Sequence, residues 1–171
     1  MALEGWVERN NIHLRINGIP YEVSVTPEEV VLDVLREKLN YTGTKKGCDG
    51  TGECGACTVL MDGKAVYSCL MLALDAVGKE ITTIEHLAKG TALHPLQKAF
   101  LNSGAVQCGF CTPGMILTAK ALLDENPRAT EEEIIDGLRG NLCRCTGYVK
   151  IVAAVERARE NYSHPDSEKK G

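Results

Sequence analysis

Eight cysteines divide four and four along this chain, and nothing at its start marks it for export. Cys48, Cys54, Cys57 and Cys69 form one set, and Cys108, Cys111, Cys143 and Cys145 the other. The first residues, MALEGWVERNN, place Glu4, Glu8 and Arg9 where a signal peptide needs an apolar run. The expected setting is therefore reducing and cytoplasmic. There disulfides are disfavoured, and a crowd of thiols points to a bound metal or to redox chemistry. Two Asn-x-Ser/Thr sequons, at Asn40 and Asn161, then carry no meaning.

The first set is spaced C-x5-C-x2-C-x11-C. The plant-type [2Fe–2S] pattern is C-x4-C-x2-C with a distant fourth cysteine, so the match is close, with one extra residue in the first gap. Gly47, Gly50, Gly52 and Gly55 interleave with these cysteines. Glycines let backbone wrap closely around a cluster and aim amide N–H groups at sulfur. Zinc sites usually use two short cysteine knuckles, and this set has one. Spacing favours [2Fe–2S] here and leaves zinc open. The second set, C-x2-C-x31-C-x1-C, fits neither a zinc knuckle nor a standard ferredoxin, and read alone implies only a four-thiol metal centre.

The surroundings read as α+β. Ile12 to Val25 alternates around an Asn17-Gly18 turn, a hairpin signature. Thr26, Pro27 and Glu29 read as a capping box opening a helix with Val30, Val31, Val34, Leu35 and Leu39 on its apolar face. TVLM, Asp62-Gly63 and AVYSC read as a second hairpin, and EITTI as a last strand. Two hairpins around one helix are a β-grasp arrangement. The second half is helical in period throughout. Leu96–Leu101, a segment from a Thr112 cap with Pro113 after it, a Thr130/Glu133 capping box and VKIVAAVERAREN suggest a small four-helix bundle. QCGFCTPGM and NLCRCTGYV form a faint repeat, each placing a cysteine pair and a threonine ahead of a helix, where amide N–H groups stabilise thiolates. The expected domains are residues 1–88 and 89–171, with a mobile tail from about 163.

GCDGTGECGACTVLMDGKAVYSC, QCGFCTPGM and NLCRCTGYVKIVAAV together resemble the iron–sulfur subunit of the xanthine oxidase family of molybdenum hydroxylases, over almost the whole chain. The resemblance implies a ferredoxin-like domain followed by a helical domain, with one [2Fe–2S] cluster in each. It implies that Cys48, Cys54, Cys57 and Cys69 hold the cluster nearer a flavin, and that Cys108, Cys111, Cys143 and Cys145 hold the cluster nearer molybdenum. Gln107 matches a glutamine whose amide bonds molybdopterin, and Cys145 the ligand closest to the pterin. Molybdopterin and FAD are expected on a large molybdopterin-binding subunit and a separate FAD-binding subunit, in a dimer of heterotrimers. The chain would be part of an oxidoreductase and turn over no substrate alone. One departure stands out: the family commonly has four residues between the first two cysteines, and this chain has five, DGTGE.

Other functions find little support. Net charge is −4 and Lys45-Lys46 is the longest basic run near the cysteines, too short for a nucleic-acid footprint. CLMLAL is far too short for a membrane span. Gly50–Gly55 formally matches G-x-G-x-x-G, but a cysteine interrupts it and a strand follows, so no dinucleotide site is expected. His94 reads as a residue near a helix start; His13, His86 and His164 make no Rieske-type pair with it. Lys45, Lys46 and Arg144 adjoin cysteines and could offset cluster charge or be plain surface. A free two-cluster ferredoxin and a zinc-stapled module are the rival readings.

Overall fold

The computed structural model describes residues 9–160 and 162; the tail from 163 lies outside the described residues. A five-stranded sheet runs β2-β1-β5-β3-β4. β1 (Asn10–Ile16) and β2 (Ile19–Val25) form the first hairpin, with Asn17 and Gly18 both at positive φ as a type I′ turn requires. β3 (Thr58–Met61) and β4 (Lys64–Tyr67) form the second, turning at Asp62 and Gly63 in the same way. β5 (Glu80–Thr82) joins the hairpins, parallel to β1 and antiparallel to β3.

The first helix differs from its sequence expectation. Thr26 and Glu29 do bond reciprocally, the Thr26 N–H donating to Glu29 Oε2 at 2.7 Å, but they close a turn rather than begin a helix. Helix α1 starts later, at Val31–Asp33, and continues as a π-helical turn, Val34–Lys38. Val30 is extended and bridges Leu72. The reason lies in the segment after Cys57: the Val31 and Leu32 N–H groups donate to the Met71 and Ser68 carbonyls. The orphan donors of the helix start are thus satisfied by the strand-to-strand connection, not by a cap.

Four further helices follow: α2 (Pro95–Asn102), α3 (Thr112–Glu125), α4 (Glu131–Gly137) and α5 (Val149–Arg159). The Thr130/Glu133 capping box forms as expected. Thr112 is the first helical residue of α3, with Cys111 in the cap position. His94 caps α2, its Nδ1 accepting the Leu96 N–H at 3.2 Å while Gln97 Oε1 accepts the His94 N–H.

Two cores meet at one strand. Ile16, Val25, Val31, Val34, Leu35, Val59 and Ile81 build the first. Leu96, Phe100, Met115, Leu123, Ile134, Ile151 and Val155 build the second. Every residue of β3 is buried: Val59 and Met61 face the first core and Leu60 the second. That is why TVLM reads as a continuous apolar run rather than an alternating one. Among the described residues no helix is long and apolar enough to cross a membrane.

Candidate metal centres

The eight thiols meet in four pairs. Cys48 lies against Cys54, and Cys57 against Cys69, in the loop before β3 and the turn after β4. Cys111, at the start of α3, lies against Cys143, and Cys108 Sγ is 3.6 Å from Cys145 Sγ. Each pair draws its members from within one of the two sets. A [2Fe–2S] cluster has two irons and takes two protein ligands on each, so paired thiols suit it.

Burial grades the pairs. Cys57 and Cys69 are buried, and burial pushes the Cys69 thiol up to about 12. Burial also pushes Cys111 up to about 12. Cys48 is drawn down to about 6, chiefly by the Thr51 hydroxyl. Burial works against Cys143, yet bonds from the Thr146 hydroxyl and the Thr146 and Cys145 amides leave it below its ordinary value. Cys108 and Cys145 are exposed. All eight must be thiolates to bind metal, so the high thiols deprotonate only as the metal arrives.

The loop from Gly47 to Cys57 fits a cluster cradle. A Cβ on Gly47 would stand 2.9 Å from Cys54 Sγ. The five residues between Cys48 and Cys54 begin with a tight turn: Asp49 and Gly50 both take positive φ, and the Thr51 N–H donates to the Cys48 carbonyl at 3.3 Å. Thr51 Oγ1 lies 3.0 Å from the same carbonyl oxygen, so its single proton is shared between that oxygen and the Cys48 sulfur.

The two cysteine loops are locked together. The Leu142 N–H donates to the Cys54 carbonyl at 2.9 Å. Asn141, 2% exposed, donates through Nδ2 to the Gly55 carbonyl at 2.9 Å and accepts at Oδ1 from the Thr118 hydroxyl at 2.8 Å. Tyr67 Oη donates to the Gly140 carbonyl at 2.7 Å. Gly114 of α3 sits so close that a Cβ there would be 2.5 Å from the Gly55 carbonyl oxygen.

Several of these residues escaped the sequence reading. Asn141 and Leu142 stand beside Cys143 in the quoted NLCRC, and a polar residue in an apolar context was the available signal for Asn141. Tyr148 was missed too. It lies at φ +68, and its Oη accepts the Cys143 N–H at 2.8 Å. Gln107 is exposed, and its Nε2 donates to the Cys145 carbonyl at 2.9 Å. Lys46 is engaged with Asp33 and Asp49, and Lys45 with the Thr42 carbonyl, rather than with sulfur.

Residues 14–90 match the family model described as 2Fe-2S iron-sulfur cluster binding domain, and residues 83–156 the [2Fe-2S] binding domain. The class is thus a protein with two [2Fe–2S]-binding domains in one chain. Over 149 residues the chain is 53% identical to the nicotinate dehydrogenase small FeS subunit of Eubacterium barkeri, covering 87% of this chain and 94% of that one. The structure superposes on quinoline 2-oxidoreductase from Pseudomonas putida 86 with TM-score 0.85 and 42% identity, covering 95% of this chain and 98% of that one. It superposes on the aldehyde oxidoreductase from Desulfovibrio desulfuricans ATCC 27774 with TM-score 0.83 and 44% identity, covering 88% of this chain and 17% of that much longer one. The chain belongs to the family of iron–sulfur subunits of xanthine-oxidase-type molybdenum hydroxylases.

Proposed function

We propose that this chain is the electron-transfer subunit of a molybdenum hydroxylase complex. Cys48, Cys54, Cys57 and Cys69 would hold one [2Fe–2S] cluster, and Cys108, Cys111, Cys143 and Cys145 the other. When bound, such clusters supply one-electron redox chemistry at potentials set by their surroundings. The chain's own residues do the rest. The glycine loop would wrap the first site, whose Cys57 and Cys69 are buried, and the Leu142–Cys54 bond fixes the second site against it. Electrons would run from a molybdopterin centre, past Gln107 and Cys145, through both sites to flavin.

The observation that carries this reading is the polarity of the arrangement. The second set has one exposed pair, Cys108 and Cys145, open to a partner, while its Cys143 adjoins the joint with the first set. Around that set Phe110, Leu142, Tyr148 and Val149 are 45%, 54%, 37% and 77% exposed. A free two-cluster ferredoxin has no need of such an apolar rim, whereas a subunit buries it against a neighbour.

The finer arrangement follows the same reading: a β-grasp, ferredoxin-like domain over residues 1–88 and a four-helix [2Fe–2S] domain over 89–171. The partners would be a large molybdopterin-binding subunit and an FAD-binding subunit, in a cytoplasmic dimer of heterotrimers. The test is low-temperature EPR of the dithionite-reduced protein with iron and labile sulfide counted on the same sample. Two distinct [2Fe–2S] signals and co-purification with a molybdenum-containing chain are expected. A colourless protein holding zinc, or a loaded chain that is strictly monomeric when purified from its source, would overturn the reading.

A further inference from the structure

We infer that the Thr146 hydroxyl is a potential-setting hydrogen-bond donor to the Cys143 sulfur, and that it raises the reduction potential of the second cluster. The inference rests on the two-cluster reading above. Thr146 Oγ1 stands 3.2 Å from Cys143 Sγ. The same oxygen accepts the Tyr148 N–H at 3.3 Å. A hydroxyl has a single proton to donate. With the Tyr148 N–H occupying its acceptor side, that proton is directed at the sulfur.

The geometry is held at a cost, which argues that it is kept for a purpose. Tyr148 is a bulky residue at φ +68, a left-handed conformation that is unfavourable outside glycine. In that conformation its N–H reaches Thr146, and its Oη reaches back to accept the Cys143 N–H at 2.8 Å. Cys143, Thr146 and Tyr148 thus close a small ring. Donors that favour a thiolate also favour the extra negative charge of a reduced cluster, so they raise its potential. Cys143 is the residue bonded to Leu142, whose N–H meets Cys54. The donor therefore acts on the sulfur next to the joint between the two sites.

The test is a redox titration, followed by EPR, of the full complex carrying Thr146→Val or Thr146→Ser. Thr146→Val should move the midpoint of the second-cluster signal to lower potential by about tenfold in the one-electron equilibrium constant, or about 59 mV. The first-cluster midpoint should stay in place, and Thr146→Ser should restore the second. A residue that only caps α5 would alter stability and leave both midpoints alone. If the valine variant fails to load iron, Thr146→Ala, which is smaller than the native residue, should show the same downward shift. Two normal signals with an unmoved second midpoint, or a serine variant that falls as far as valine, would overturn this inference alone. A wild-type complex lacking a second [2Fe–2S] signal would overturn the two-cluster reading and this inference with it.

Discussion

The Leu142 backbone N–H and the Cys54 carbonyl oxygen lie 2.9 Å apart, and this bond makes one unit of two cysteine loops. Leu142 precedes Cys143, so a continuous path of covalent bonds and one hydrogen bond joins a thiol of the second set to a thiol of the first. Asn141 reinforces it one residue earlier, bonding Gly55 one residue beyond Cys54. A pair of adjacent residues on one loop thus grips a pair of adjacent residues on the other.

Proline at position 142 should sever that path. Leu142→Pro removes the N–H and leaves the Cys54 carbonyl without its donor. A backbone hydrogen bond contributes about 0.5–1.5 kcal/mol net, so the urea midpoint should fall while iron content holds. Electron equilibration between the two sites should slow, read by rapid-freeze EPR after a reducing pulse. An unchanged rate in a fully loaded variant would show that the path is not the one electrons use.

A methyl group between the halves should force them apart. A Cβ at Gly114 would meet the Gly55 carbonyl oxygen at 2.5 Å and Asn141 Nδ2 at 3.1 Å, and neither can yield without breaking the Asn141 bond to Gly55. Overpacking of this kind costs about 1–3 kcal/mol, and a buried amide left unpaired adds to it. Gly114→Ala is therefore expected to lower stability, whereas a typical Gly→Ala change inside a helix raises it by about 1 kcal/mol. Chemical denaturation of the loaded chain measures it, and a neutral or stabilised variant would contradict the docked geometry.

Local signals in the sequence carried well where local chemistry decides structure. The Asn17-Gly18 and Asp62-Gly63 turns, the Thr130/Glu133 box and the buried Ile151, Ala154, Val155 and Ala158 stripe all appear as their periodicity and turn chemistry require. The Thr26 box was legible but misleading. Its Glu29 arm forms, but the Glu29 N–H goes to the Thr26 carbonyl rather than its hydroxyl, and the helix waits until Val31 because residues 68 and 71, distant in sequence, supply the partners for its first N–H groups. The joint between the loops was not legible at all. It is made of backbone groups at Cys54, Gly55 and Leu142, and a carbonyl leaves no mark on sequence. The pairing of thiols between distant stretches, Cys108 with Cys145 and Cys111 with Cys143, was hidden for the same reason.

The pairing gives a direct test of the two sites. Replacing Cys57 or Cys69 with serine should remove the first EPR signal and lower bound iron by about half, since each [2Fe–2S] site takes four cysteines. The second signal should persist, because its thiols are drawn wholly from the other set. Cys111→Ser should do the converse. Loss of both signals from a single substitution, in a chain whose far-ultraviolet circular dichroism is unchanged, would mean that the sets are not independent sites.

Acid should weaken the helical half through His94. Burial, chiefly, draws this imidazole down from 6.5 to about 4. It sits against Tyr162, whose Oη donates to Asp124 at 2.6 Å, and Lys120 pairs with the other oxygen of that carboxylate. A histidine with a depressed folded-state value is neutral when folded and protonated when unfolded between pH 4 and 6.5. The unfolded state then binds more protons, so stability rises with pH across that window. The contribution is full above about pH 6.5, is lost as pH falls toward 4, and amounts to about 3 kcal/mol at most. His94→Asn keeps a good N-cap for α2 and removes the titrating group. Urea unfolding between pH 7.5 and 5 should show a shallower loss of stability in the variant than in the wild type, a window set by the two values for His94. Parallel slopes would place the acid sensitivity elsewhere, with the carboxylates rather than with this half-buried ring.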